Sequence, residues 1–417
     1  MAYSTSADAV STGFKGYAGI FTTRRKYDLS DKVIQKSRVA AKLFNILSRN
    51  LTKMSVTELE PRIFEFTEEN DVITINNAAG TATAFHLPNA DAETLQEGDI
   101  LYVVKASITA APSQESLYVQ SVGAEDGASS GYRIVTVERA YLGSTTINIT
   151  VAADYNVVWG GNALAENAGS SQPRSKEPNY VYNYLQLFDK VIGASKDTEN
   201  SEFYAKQFFS MDATATRKRN MLMKNINWTW YLGERGRKTA NDGNLKHYTG
   251  GMYELIPTAN KLSMSGNMTI QYWNTQSATN WFVNGNMNRT KWCAAGPHFM
   301  TQVENMFEAS GRELRIDQTL SKFFGIQIMQ MKFSGGTINF FREEAFYGSG
   351  YSNCAFILDG DYLAYMYLRN RDMQLDKDAT NKDEKFNKTK WILFARIGLF
   401  RTYSTAHHFL FNPSQPA

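Results

Sequence analysis

From residue 63 to residue 158 the sequence has no helical period. "DVITI", "DILYVVKA", "SLYVQSV", "YRIVTVERA" and "TTINITVA" are short β-branched and aromatic runs, separated by Gly, Asn, Pro and Ser turns. Five or six strands at this spacing predict a small barrel or sandwich. The flanks read differently. Upstream, "LSDKVIQKSRVAAKLFNILSRN" predicts a helix capped by Ser30 or Asp31, with Val33, Ala40, Leu43, Phe44 and Leu47 on one side. Downstream, "TENSEFYAKQFFSMDATATRKRNMLMKNINWTWYLGERG" places Leu222, Ile226 and Trp230 at i, i+4 and i+8. That spacing predicts a helix of over about eight turns, starting near Thr198 or Ser201 and ending near Gly233 or Gly236.

A β unit between two helices needs a way out and a way back. The return begins with the Gly/Ser/Pro-rich loop in "GGNALAENAGSSQPRSKEP". Alternation follows, with Tyr180, Tyr182 and Tyr184 on one face and then Leu187 and Val191, which predicts a long, partly exposed strand. Past Gly250 and Gly251 helices and strands mix, and "KWILFARIGLFRTYSTAHHFLF" closes the chain in strand-like alternation. Residues 1–28 show no period and predict an arm that orders only against a neighbour. We find no internal repeat.

The chain has 417 residues, enough for two or three compact units, and its 43% hydrophobic and 13% aromatic content excludes wholesale disorder. No apolar run reaches membrane-helix length, and "MAYSTSADAV" lacks a signal-peptide pattern, so the expected site of synthesis is a cytoplasm with no membrane partner. Cys293 and Cys354 are too few for a disulfide framework or a cysteine zinc site. Six N-x-[ST] sequons, at Asn50, Asn148, Asn227, Asn267, Asn288 and Asn387, carry no message without secretion.

The net charge of +3 conceals strong segregation. Residues 1–49 hold nine Lys and Arg against Asp8, Asp28 and Asp31; residues 58–130 hold thirteen Asp and Glu against Arg62 and Lys105. Residues 217–246 swing back, with eight Lys and Arg against Glu234 and Asp242. Chance clustering on solvated faces accounts for any one block; three alternating blocks point to faces that meet different partners.

No catalytic constellation emerges. "GERGRKTANDGNLKHYTGG" follows a helix and never sets up Gly-Lys-Ser/Thr, so it is neither a P-loop nor a dinucleotide loop. Of His86, His247, His298, His407 and His408 only the last two are close, and neighbours on a strand face opposite ways. "DGD" at Asp359–Asp361 lacks the remaining ligands of a calcium loop, and Glu343-Glu344 reads as a strand edge. Trp228, Trp230, Trp273, Trp281 and Trp292 invite a sugar-stacking role, but packing in an aromatic-rich core is the better expectation. No metal, cofactor or enzymatic activity is expected.

The order of parts resembles the major capsid proteins of tailed bacteriophages, in the branch that carries a β-barrel insertion. "AENAGSSQPRSKEPNYVYNYLQLFDKVIGASKDT" is similar to that branch through Glu166, Gly169, Asn183, Gln186, Phe188, Val191, Ser195 and Thr198. "YLGER…YTGGMYELI" is similar at Gly233, Gly250 and Gly251, and "FFGIQIMQMKFSGGTINFFREEAF", "CAFILDGDYLAYMYLRNRDMQLDKD" and the closing segment continue the likeness. The resemblance implies an α+β phage capsid (Johnson) fold with a long spine helix, an extended β loop carrying an inserted small β-barrel, and a mixed α/β axial domain. The implied divisions are 1–57 for the N-terminal arm and helix and 58–195 for the extended loop with its barrel (about 63–158). A peripheral domain with the spine helix (196–250), an axial domain (251–385) and a C-terminal strand returning to the peripheral domain (386–417) complete them.

The function implied is a head-shell subunit that self-assembles into pentamers and hexamers around double-stranded DNA, with the virion as its location after synthesis in the host bacterial cytoplasm. Partners implied are other copies, a portal, a decoration protein on some shells and, because about 30 residues precede the first helix, a separate scaffolding protein. Arg217, Lys218, Arg219, Lys224, Arg235, Arg237 and Lys238 become genome-facing candidates for non-specific phosphate contacts. A tail or tube protein and a carbohydrate-binding protein are the alternatives.

Overall fold

A computed structural model describes residues 41–50, 52–65, 72–75, 83–105, 115–125, 131–149, 155–162, 179–195, 211–241, 243–266, 268–282, 289–310, 315–316, 327–333, 335–377 and 388–412. The expected N-terminal arm, the first part of each expected helix and Val33 and Ala40 lie outside them. The chain forms two compact units, one of Met1–Ile63 with Tyr180–Ala417 and one of Phe64–Asn179.

The smaller unit is a six-stranded sheet in the order Val72–Thr74, Tyr155–Asn162, Asp99–Lys105, Glu115–Glu125, Tyr132–Glu138, Ala84–Pro88. Every pairing in it is antiparallel. Each strand buries alternate residues: Phe85 and Leu87, Leu101 and Val103, Leu117 and Val119, Val135 and Val137, Tyr155 and Val157. Side chains one residue apart face opposite ways, so this period of two aims one face of the sheet at a single core. Two strand expectations need correction. "TTINITVA" forms no ladder strand over its described residues, although Ile147 and Ile149 still reach the core; Ala84–Pro88 and Tyr155–Asn162 take the places in the sheet. Glu115 explains the first point. Its buried carboxylate takes both Arg139 Nε and Nη2 (2.7 and 2.6 Å) and the Ala140 and Ile147 backbone N–H groups (3.1 and 2.8 Å). The Ile147 N–H thus bonds a side chain instead of a neighbouring strand, and pairing in the described part of the segment is confined to a single bridge at Ile149.

The larger unit holds two large sheets and, among the described residues, a two-stranded hairpin. A seven-stranded sheet runs Lys261–Ser263, His408–Phe411, Cys354–Leu358, Thr290–Ala295, Thr337–Arg342, Met329–Lys332, Arg315–Ile316. Its central strands are apolar without interruption because both faces are covered. Trp292, Ala294, Phe341, Phe356 and Leu358 join one core, while Cys293, Ala295, Phe340, Ala355 and Ile357 join another with helix Pro297–Ala309. In the five-stranded sheet, the 14-residue strand Lys388–Arg401 pairs with Gln186–Ser195 along one edge. Leu363–Leu368 and Gln374–Asp376 share its other edge, and Thr52–Val56 adds in parallel beyond Leu363–Leu368. The closing segment therefore makes two strands in two sheets rather than one continuous strand.

The long helix is Met211–Leu232, 22 residues, and the turns expected before it fall outside the described residues. Leu222, Ile226 and Trp230 are buried as their spacing requires, and Trp230 stacks on Phe44 of helix Lys42–Asn50 with ring centroids 5.3 Å apart. Leu43, Phe44 and Leu47 are buried with it.

Candidate functional site

The glycine-rich stretch after the long helix is a hairpin, not a loop. Gly236–Thr239 pairs antiparallel with Leu245–Tyr248, setting Arg237 opposite His247 and Lys238 opposite Lys246. Ala240 N–H donates to Asn244 O (2.8 Å), and Gly243 takes φ +78°, a left-handed turn conformation that favours glycine.

The base of the hairpin is a close-packed joint. A Cβ on Gly251 would lie 2.6 Å from both Gly233 N and Thr229 O, and one on Gly233 would lie 2.5 Å from Thr249 O. Asn183, buried on the returning chain, ties the joint together. Its Nδ2 donates to Gly250 O (3.0 Å) and Leu399 O (2.5 Å), and its Oδ1 accepts from the Gly250 and Tyr184 N–H groups (2.8 Å each). Gln186 Oε1 accepts from Thr249 N–H at 3.3 Å. Asn183, Gln186, Gly233, Gly250 and Gly251, far apart in sequence, thus converge where the helix, the hairpin, the returning strand and the closing strand meet. This answers what the glycines are for: they let four backbones approach.

The seven genome-facing candidates divide. Arg235 lies 4.2 Å from the Tyr182 ring centroid, donates to Tyr182 O (2.9 Å), and gives its backbone N–H to Glu254 (2.6 Å). Arg237 lies 5.6 Å from the Tyr184 centroid and 3.8 Å from Glu60, so both arginines pin the hairpin to this unit. Arg217 is half-buried and donates to Thr214 Oγ1 at 3.1 Å, and Lys218 is half-buried. Arg219, Lys224 and Lys238 are exposed. His247, on the same hairpin face as Arg237, sits 5.6 Å from the Tyr184 ring; burial, then the Arg396 and Arg237 cations, push its pKa down.

The other singled-out residues are structural. Trp230, Trp273 and Trp281 are fully buried, Trp292 is buried and Trp228 is half-buried, so they form no exposed sugar-binding platform. Asp359 makes a buried ion pair with Lys291 at 3.6 Å, and its backbone N–H donates to His407 Nδ1 at 3.3 Å. Glu343 corrects the strand-edge expectation. It is fully buried, caps the turn Glu344–Phe346, and accepts from the Tyr231 hydroxyl at 3.1 Å. The run of strand residues before it carries no sign of this, because a glutamate pair after a strand looks like solvent contact in sequence. Among the described residues no group of three or more His, Cys, Asp or Glu is placed to hold a metal ion, and no helix is long and apolar enough to cross a membrane. The sequon residue Asn227 is fully buried.

Solved structures similar to this one include the capsid of a native GTA particle (9% identity, TM-score 0.42, covering 95% of this chain and 97% of that one). Mycobacterium phage Bobi is another, at 10% identity and TM-score 0.41, covering 95% of this chain and 98% of that one. An encapsulin complex from Synechococcus elongatus matches at 8% identity and TM-score 0.40, covering 56% of this chain and 77% of that one. No curated protein matches. The family described as SU10 major capsid protein matches residues 13–412, nearly the whole chain. The chain therefore belongs to the SU10 major capsid protein family and is a structural subunit of a phage capsid shell.

Proposed function

We propose that this subunit assembles as pentamers and hexamers into an icosahedral head around double-stranded DNA, and that it has no catalytic role. The family match over residues 13–412 carries the reading. In the same reading Met211–Leu232 is the spine helix of a peripheral domain, with the five-stranded sheet beside it. The seven-stranded sheet is the core of the axial domain. The Phe64–Asn179 unit is the insertion of the extended loop, and it closes as a small barrel: Val72–Thr74 and Ala84–Pro88 end the strand order, yet Ile73 and Phe85 share one core. A portal is its further partner, with a decoration protein on some shells, and the host cytoplasm is its place of synthesis.

Arg219 and Lys224, exposed on the long helix, with Lys218 beside them, supply charge toward the genome. Arg217, Arg235 and Arg237 contribute to the field while held by their own neighbours; Lys238 belongs to the hairpin, whose outer face calls for a more exacting partner. Phosphate contacts of this kind are individually weak, salt-dependent and indifferent to sequence. Replacing Arg219 and Lys224 with Gln leaves empty shells assembling normally and lowers the DNA retained per particle, measured as nucleic-acid absorbance of purified heads. Loss of shell assembly in that variant would show the two charges to be intersubunit contacts.

A further inference from the structure

The outer face of the 236–248 hairpin carries an unfavourable arrangement. Lys238 and Lys246 stand directly opposite each other, both exposed, and among the described residues neither makes an ion pair. Like charges at opposed ladder positions destabilise a strand pair, and a two-stranded hairpin has little stability to spare. Here the hairpin backbone is anchored all the same, by Arg235 on Tyr182, Arg237 beside Tyr184 and Glu60, and the Asn183 joint below. Tyr248, 39% exposed, lies on the same face opposite Gly236. The result is a pair of lysines rooted opposite each other on an anchored ladder, with no counter-charge on them among the described residues.

We propose that this face is a socket for carboxylates on the 64–179 insertion of a second copy of the chain. The inference rests on the chain being a shell subunit, which brings copies together. Charge complementarity selects the insertion: residues 64–179 hold fifteen Asp and Glu against five Lys and Arg. Not all of those carboxylates are available. Asp99 and Glu115 are buried in the insertion, the former accepting from Gln96 N–H and the latter holding Arg139. Glu97 and Glu138 are exposed, and so are Glu93 and Glu125, although these two already hold Arg133 at 3.0 Å and the Gly131 N–H at 2.8 Å. Register argues for protein rather than nucleic acid as the partner. Phosphate binding tolerates cations at any spacing, whereas two lysines set opposite each other on a paired ladder are of most use against carboxylates that are themselves held in register.

Empty shells assembled from mixed light- and heavy-isotope full-length chains, treated with a carbodiimide, test this directly. The expected result is light–heavy peptide pairs joining Lys238 or Lys246 to an acidic residue within 64–179. Lysine acetylation should also be at least about tenfold slower at both positions in empty shells than in unassembled chains, a difference of about 1.4 kcal/mol in barrier. The Lys238→Glu/Lys246→Glu variant should lose shell yield with its melting temperature unchanged, and Lys238→Arg/Lys246→Arg should keep it. Cross-links confined to single chains, or lysines protected only when DNA fills the head, would overturn the proposal; the second outcome would make the face a genome contact. A reversal variant that assembles normally would overturn it too, and if that variant fails to fold the wild-type cross-links decide. Failure of the wild-type chain to form shells would instead count against the shell reading.

Discussion

Asn183 shows how much of the architecture rests on single polar side chains. Its amide makes four hydrogen bonds inside the joint, two as donor and two as acceptor, so only a group with donors on one side and an acceptor on the other fits. Asn183→Asp should therefore be worse than Asn183→Ala. The aspartate turns an oxygen toward the Gly250 and Leu399 carbonyls, whereas alanine leaves them unpaired at about 1–3 kcal/mol. Thermal melting of both variants checks the order, and an Asp variant as stable as wild type would refute the role given to the amide. Glu343 makes a second test at this scale. Burial pushes its carboxyl above the ordinary carboxylate range, against hydrogen bonds from the Ala345 N–H and the Tyr231 hydroxyl. A folded-state pKa above the unfolded value gives a contribution that is complete below the unfolded pKa and lost as pH rises through the folded one. Glu343→Gln removes that loss, so the variant's melting temperature should gain on wild type between pH 4 and pH 8. A difference independent of pH would contradict the raised pKa.

Elements differed in how plainly the sequence announced them. Leu222, Ile226 and Trp230 marked the long helix because its buried stripe repeats every turn, and the insertion declared itself through alternating strands. The hairpin at 236–248 has no such signature, since Arg, Lys and Gly in short runs carry neither period; Tyr182, Tyr184 and Glu60 hold Arg235 and Arg237 from outside the segment. "TTINITVA" misled for the converse reason: strong strand propensity lost to the Glu115 carboxylate, a residue that sequence alone placed in an acidic surface block. The same carboxylate makes the insertion testable by itself. Burial disfavours its charge, but Arg139 and the Ile147 and Ala140 N–H groups outweigh that and hold its pKa below the ordinary value. The stabilisation is thus complete near neutrality and is lost as pH falls through the folded pKa. A fragment of residues 64–179 should unfold cooperatively, and Glu115→Ala should cost it about 3–5 kcal/mol by stranding Arg139. A fragment without a cooperative transition would refute an independently folding insertion.

Across the whole molecule two of the three charge blocks divide between internal structure and exposed charge. Part of the acidic block is internal structure, as at Asp99 and Glu115, and part of the basic block 217–246 is spent on Tyr182, Tyr184 and Glu60. What is left exposed includes Arg219 and Lys224 on the helix and Lys238 and Lys246 on the hairpin, which we propose meet a tolerant partner and a register-specific one respectively. Neither division was visible in sequence, where only the sum of charges could be read. The central claim is that the chain exists to build a closed shell. Electron microscopy with particle-mass measurement of the purified protein, expressed alone or with the other head proteins of the same phage, tests that most directly. The account predicts closed particles of many copies, icosahedral and uniform in diameter. Open tubes, or a chain that stays monomeric under both conditions, would contradict it.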